Sequence, residues 1–246
     1  MSFMDHKKQL NPFRDLFYEA RAELAKDCDS IQFRQDEEGR DTAIICLFCR
    51  ITTHLKALEV LYANDLALEA DTILRSCVES VFWMGALVNQ PDTVKKMENE
   101  FEYQKYSMRK RILNADPALM KLDDQTRKDM ELAQQGKRMN KKDLLKLFEV
   151  AERAKLAEMY VPYSRLSNSA VHASINSLNR HLILDEERKH RTFTALVSNP
   201  DWDAVFHLAC SVTLFTKHFL SDRFNTPGRD WETDIRKRFQ ELHVAD

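Results

Sequence analysis

The sequence predicts an all-α fold, a helical bundle built on a long antiparallel helix hairpin with a charged helical excursion. Three observations predict it. Only 4 Gly and 6 Pro occur in 246 residues, too few turn-formers for a many-stranded sheet. Apolar residues recur at helical spacing over long segments that begin at capping residues. Neither a useful alternating strand pattern nor a repeat with a period of about 20 to 50 residues occurs.

The elements follow in order. "NPFRDLFYEARAELAKD" opens with Asn11 as cap and Pro12 at the first helical position. "DTAIICLFCRITTHLKALEVLYAN" opens at Asp41, and "DLALEADTILRSCVESVFWMGALVNQ" follows at once and must stop before Pro91. Two long helices joined so tightly form an antiparallel hairpin. From 91 to about 140 the chain turns highly charged with a thin apolar stripe, the expected excursion. Asn140 and Asp143 are the expected capping pair of "KKDLLKLFEVAERAKLAEMY". A helix from Tyr163 to about Leu184 is expected next, with Val171, Ile175, Leu178 and Leu182 as its core face. Asp201 caps "DWDAVFHLACSVTLFTKHFLSDRF", and a last helix fills 226–246. The whole, 1–246, is expected to be one domain.

Composition excludes several function classes. A net charge of -2 argues against a protein that coats nucleic acid by bulk electrostatics, so any such binding must use local patches. The apolar runs "AIICLFC" and "VFWMGALV" are far short of the roughly 18 residues of a membrane span. Five cysteines and no stretch resembling a signal peptide point to free thiols and a cytoplasmic protein. Cys46-x-x-Cys49 with His54 beyond lacks a second pair, and its place in an apolar helix predicts buried core thiols, not zinc ligands. Glu187-x-x-His190 is a lone motif where a carboxylate-bridged di-iron bundle needs two. No metal site and no cofactor are expected.

Two stretches break their pattern with polar groups. In the apolar third helix, Arg75 and Glu79 share one face at i,i+4, with Asp71 one turn earlier. A charge inside a bundle must be paired or face a cavity. In "YSRLSNSAVHASINSLNRHL", Arg165, Asn168, His172, Asn176 and Asn179 fall close to one line off the core face. Asparagine and serine are poor helix formers, so propensity does not explain them. A structural ion pair and a satisfied histidine are the plain readings; an anion site is the functional one. Among the basic clusters, Lys105 to Arg111 has Tyr103 and Tyr106 beside it, so Lys105 and Arg109 are the best placed for RNA.

"LRSCVESVFW" and "YSRLSNSAVH" resemble a bacterial family of uncharacterised all-helical proteins, known only as a domain of unknown function. Its pattern is Arg-x-x-x-Glu on one helix and Tyr-x-x-x-Ser-x-x-x-x-His on a later one, here Arg75, Glu79, Tyr163, Ser167 and His172. The resemblance covers roughly Asp41 to Leu184. The later stretch is also similar to the signature of HEPN domains, helical bundles of toxin–antitoxin and antiviral systems, many of them metal-independent ribonucleases. Their motif is an arginine, four to six residues, then a histidine. Arg165 and His172 are separated by six residues with Asn168 between, but Leu166 stands where the polar residue most often follows the arginine. Arg75 is therefore the alternative source of positive charge.

The resemblance implies a homodimer, an RNA substrate and an antitoxin or defence partner protein. It implies His172 as general base, arginine stabilising the phosphate, and Asn168, Tyr163 and Ser167 around the substrate. Two rivals stand beside it. One is a non-catalytic helical module that grips a nucleotide, RNA or partner protein. The other is a scaffold in which these residues are structural pairs.

Overall fold

The computed structural model describes residues 11–31, 39–116, 120–135, 144–168, 178–185, 190–193, 201–226 and 229–244; at 28–30, 183–185, 190–193, 229, 243 and 244 it describes the backbone alone. Helix α1 (Pro12–Ser30) begins as its sequence dictates: the Asn11 carboxamide accepts the Arg14 N–H at 2.8 Å, and Pro12 takes the first position. Its buried face is Phe13, Leu16, Phe17, Ala20 and Leu24, the 3.6-residue stripe.

Helices α2 (Arg40–Ala63) and α3 (Ala67–Asn89) form the expected hairpin. Arg40, first in α2, donates to the carbonyls of Leu87 and Val88 near the end of α3, both at 2.7 Å, so the two run antiparallel. Gly39 at φ 71° precedes α2, and Asp41, expected as its cap, lies inside the first turn and accepts from Arg223 at 2.6 Å. Only α2's inner stripe is buried: Ile44, Leu47, Phe48, Ile51, Leu55 and Leu58. That corrects the reading of Cys46 and Cys49. Both are exposed, because a helix packed on one side turns those positions outward, while among the described thiols Cys77 and Cys210 are buried. Helix α3 is covered on several sides and buries nearly everything from Cys77 to Leu87.

The excursion consists of α4 (Thr93–Leu113) and α5 (Asp124–Gln134), tied together where the Gln134 amide donates to the Tyr106 carbonyl at 3.2 Å. Among the described residues, α4 buries Thr93 alone and α5 buries none, so neither belongs to the core. Asn140 and Asp143 lie outside the described residues. Helix α6 (Leu147–Arg153) starts instead at Lys146, whose N–H the Glu149 carboxylate accepts at 2.9 Å. Lys155 at φ 60° ends it, and a 3₁₀ turn, Ala157–Met159, leads into α7 (Tyr160–Leu166). Pro162 sits in the first turn of α7, where no intrahelical N–H bond is lost.

The long helix expected from Tyr163 to Leu184 is not one continuous helix. Among the described residues Ser167 and Asn168 form a π-type turn, Leu178 and Asn179 are helical, and strand β1 (Leu182–Asp185) pairs antiparallel with β2 (His190–Phe193). Branched residues such as Ile183 and Thr192 favour the strand pair over a helix there. Leu178, expected in the core, is exposed. Val171, His172, Ile175 and Asn176 lie outside the described residues. His190 stands in a strand, and Glu187 lies outside the described residues, so the ExxH spacing does not sit on a helix.

Helix α8 (Trp202–Phe224) carries the expected cap: the Asp201 carboxylate accepts the Ala204 N–H at 3.0 Å. It packs against α1 and α3, and α9 (Arg229–Val244) closes over α1 and α8. The fold is an all-α helical bundle carrying this short two-stranded hairpin. No helix of the described residues is long and apolar enough to cross a membrane.

Candidate functional site

The polar positions of α3 and α7 meet. Tyr163 and Ser167 are one turn apart and therefore share a face, as do Arg75 and Glu79. Arg75 Nε donates to Ser167 Oγ at 2.8 Å, and Nη2 donates to Tyr163 Oη at 2.6 Å. Nη1 lies 3.5 Å from Glu79 Oε2, and the guanidinium carbon lies 4.9 Å from the Tyr163 ring centroid. Arg75 remains 24% exposed and Glu79 39%, so the group borders solvent and keeps its charge at modest desolvation cost. The planar fork is held at both edges and on its face, which fixes its direction before any ligand arrives.

Tyr163 is the buried member of the group. Burial, then the charge of Glu79, holds its phenolic proton on; the Ser167 hydroxyl and Arg75 pull the other way. Its ring packs on Phe82 (6.0 Å) and Tyr160 (5.4 Å), and Tyr160 meets the half-exposed Phe148 at 5.1 Å. An aromatic row thus runs from the arginine to the surface. Glu100 on α4 lies near enough to Glu79 to feel its charge. Burial and the charge of Glu79 raise its carboxyl above the ordinary range.

Arg165 belongs elsewhere. Lying between Tyr163 and Ser167 in sequence, it leaves α7 on the far side and faces Asp201 at 3.7 Å. There it borders an open cavity of about 420 Å³ between α3, α7 and α8, to which Asp71, Arg180 and His207 also contribute. Asp71, read from sequence only as a neighbour of Arg75, is paired with Arg180. Asn168 ends the π-type turn. His172 lies outside the described residues. Lys105 and Arg109 are on α4, where Lys105 pairs with Glu102 and lies 4.5 Å from the Phe101 ring centroid. Among the described residues no group of three or more His, Cys, Asp or Glu is arranged to hold a metal.

Glu100, Arg180 and Glu158 were missed by sequence reasoning. Each is one charged residue in a charged segment, and nothing local marks it out. The four residues that do meet, Arg75, Glu79, Tyr163 and Ser167, all fall within one matched segment: a family model, Family of unknown function (DUF5677), matches residues 41–190. That is more than half of the 246-residue chain. The chain belongs to this family. The matched segment runs from the start of α2 through α7 and β1 to the first residue of β2, and thus holds the whole Arg75 group. It leaves out α1, α8 and α9, which complete the core around it. No curated protein and no solved structure matched the chain.

Proposed function

We propose that this protein is a HEPN-like, metal-independent endoribonuclease of a defence or toxin–antitoxin system. The observation that carries the reading is the Arg75 fork, fixed by Ser167 Oγ at 2.8 Å and Tyr163 Oη at 2.6 Å at a solvent-bordering site. A cation so placed suits the charge that grows on phosphate oxygens during transesterification. In the proposed step His172 takes the proton of a ribose 2′-hydroxyl, and the 2′-oxygen attacks the adjacent phosphorus. The bond to the 5′-oxygen breaks and that oxygen is protonated, leaving a 2′,3′-cyclic phosphate and a 5′-hydroxyl. Glu79 orients Arg75; Asn168, Tyr163, Ser167, Lys105 and Arg109 border or guide the strand. A homodimer and a protein antitoxin or defence partner are part of the proposal, carried by the HEPN resemblance alone.

A second reading has its own support. Arg75 already uses Nε and Nη2 on protein hydroxyls and turns Nη1 to Glu79, which suits a locked scaffold that grips a nucleotide or RNA without cutting. One assay separates the two. Purified protein with labelled RNA in excess chelator should cut, and His172→Ala should lower the rate by about 10²- to 10⁴-fold with thermal stability unchanged. Arg75→Lys, which keeps the charge and loses the fork, should lower it by at least about ten-fold. Wild-type protein that binds RNA but never cuts it would establish the second reading. An Arg165→Ala loss as large as that of His172→Ala would move the functional arginine to α7.

A further inference from the structure

We infer that the cavity between α3, α7 and α8 binds a small zwitterion with an apolar body, of the α-amino-acid class. It lies on the side of α7 away from Arg75, and the inference does not rest on the ribonuclease reading. At about 420 Å³ the cavity falls within the usual range for small-molecule sites. Its floor is apolar: Leu74, Met159, Leu166 and Leu208 line it, and each is buried. Its polar groups come in opposite signs. Among the described residues, Asp71, Asp201 and Glu158 supply three carboxylates against the two guanidinium groups of Arg165 and Arg180.

The two ion pairs in this wall differ in strength. Asp71 and Arg180 are close, and only 11% and 22% exposed, so that pair belongs to the scaffold. Arg165 and Asp201 are 3.7 Å apart, with 74% and 56% of their side chains exposed. A pair that loose and that wet contributes little, so a ligand can part it at small cost. A zwitterion parts it without leaving a charge unmatched: its carboxylate takes Arg165, its ammonium takes Asp201, and Glu158 adds a further acceptor beside it. A phosphate monoester fits worse, because among the described residues the carboxylates outnumber the guanidiniums and would oppose its dianion. A plain carboxylate or a plain amine would each strand one member of the parted pair.

The test is calorimetric titration of the full chain at low salt. Each of the standard amino acids is tried alongside 3-phenylpropionate, phenethylamine and adenosine monophosphate. At least one amino acid with an aliphatic, thioether or aromatic side chain should bind. Phenylpropionate and phenethylamine, each missing one charge, should bind at least about ten-fold more weakly than that ligand, as expected for losing a charge-assisted hydrogen bond. Arg165→Ala and Asp201→Asn should each weaken binding about as much. Both should fold, since Arg165 is exposed and asparagine caps a helix as well as aspartate does. No heat from any amino acid at millimolar concentration would overturn the inference. So would adenosine monophosphate binding more tightly than every amino acid, or variants that bind as the wild type does.

Discussion

Glu100 shows what one side chain contributes when its neighbours are charged. It sits on α4, partly buried, with its carboxyl raised by burial and by the charge of Glu79; the Gln104 amide, 3.4 Å away, offsets a part. A raised folded value means that the folded state keeps a proton the unfolded chain has released. Its contribution is therefore fully present below the unfolded carboxylate value, about 4.3, and is lost as pH rises through the folded one. Glu100→Gln should match the wild type in melting temperature at acidic pH and exceed it at neutral pH, with a flatter profile just above the ordinary carboxylate range. Superimposable profiles for the two proteins would show that Glu100 does not carry this charge strain. The same residue marks the limit of what the sequence displayed. Arg75 with Glu79 was legible because the two lie one turn apart, whereas Tyr163 and Ser167 stood out only through the family resemblance. Glu100 and the Asp71–Arg180 pair were not, since residues separated by 109 positions meet only through the fold.

At the level of elements, Gly85 sets how closely α3 can approach its neighbours. A methyl group there would stand 2.5 Å from Phe219 Cζ and 2.9 Å from the Ala154 methyl, far inside contact distance. The helix tolerates glycine's cost of roughly 1 kcal/mol relative to alanine because α6 and α8 pack against the bare backbone. Phe219 is 4% exposed and has little room to yield. Gly85→Ala should therefore destabilise by about 1–3 kcal/mol despite its better helix propensity, seen as a lower midpoint in urea with an unchanged slope. A higher midpoint would mean that the propensity gain wins and the ring moves aside. Local rules otherwise placed the elements well: Asn11 and Asp201 cap α1 and α8 with hydrogen bonds of 2.8 and 3.0 Å. They failed at Leu182–Asp185, where branched apolar residues also suit a strand. The pairing of Leu182 with Phe193 there is tertiary information that no local pattern holds.

Across the whole molecule, the first and last helices are tied to the core by one buried cation. Lys217 on α8 is 0% exposed, and its Nζ donates to both Asp27 oxygens at 2.9 Å and to Thr226 Oγ1 at 3.1 Å. Ser221 Oγ lies 3.1 Å from the same threonine oxygen, and the Trp231 ring of α9 lies 5.5 Å from the ammonium. Asp27 brings α1, Thr226 the turn after α8, and Trp231 α9. These are parts of the bundle that lie outside the matched family segment. A buried ion pair of this kind gives little net stability over an apolar replacement, because desolvation offsets the attraction, but losing one partner strands the other charge. Lys217→Met and Asp27→Leu should each cost about 3–5 kcal/mol. The double variant Lys217→Met with Asp27→Leu should recover most of that loss, so that the two sites are far from additive in a double-mutant cycle. If the double variant instead loses the sum of the single losses, the two residues are uncoupled and a stranded charge is not the source of the single losses. Thermal unfolding of the four proteins at one pH and one salt concentration decides between these outcomes.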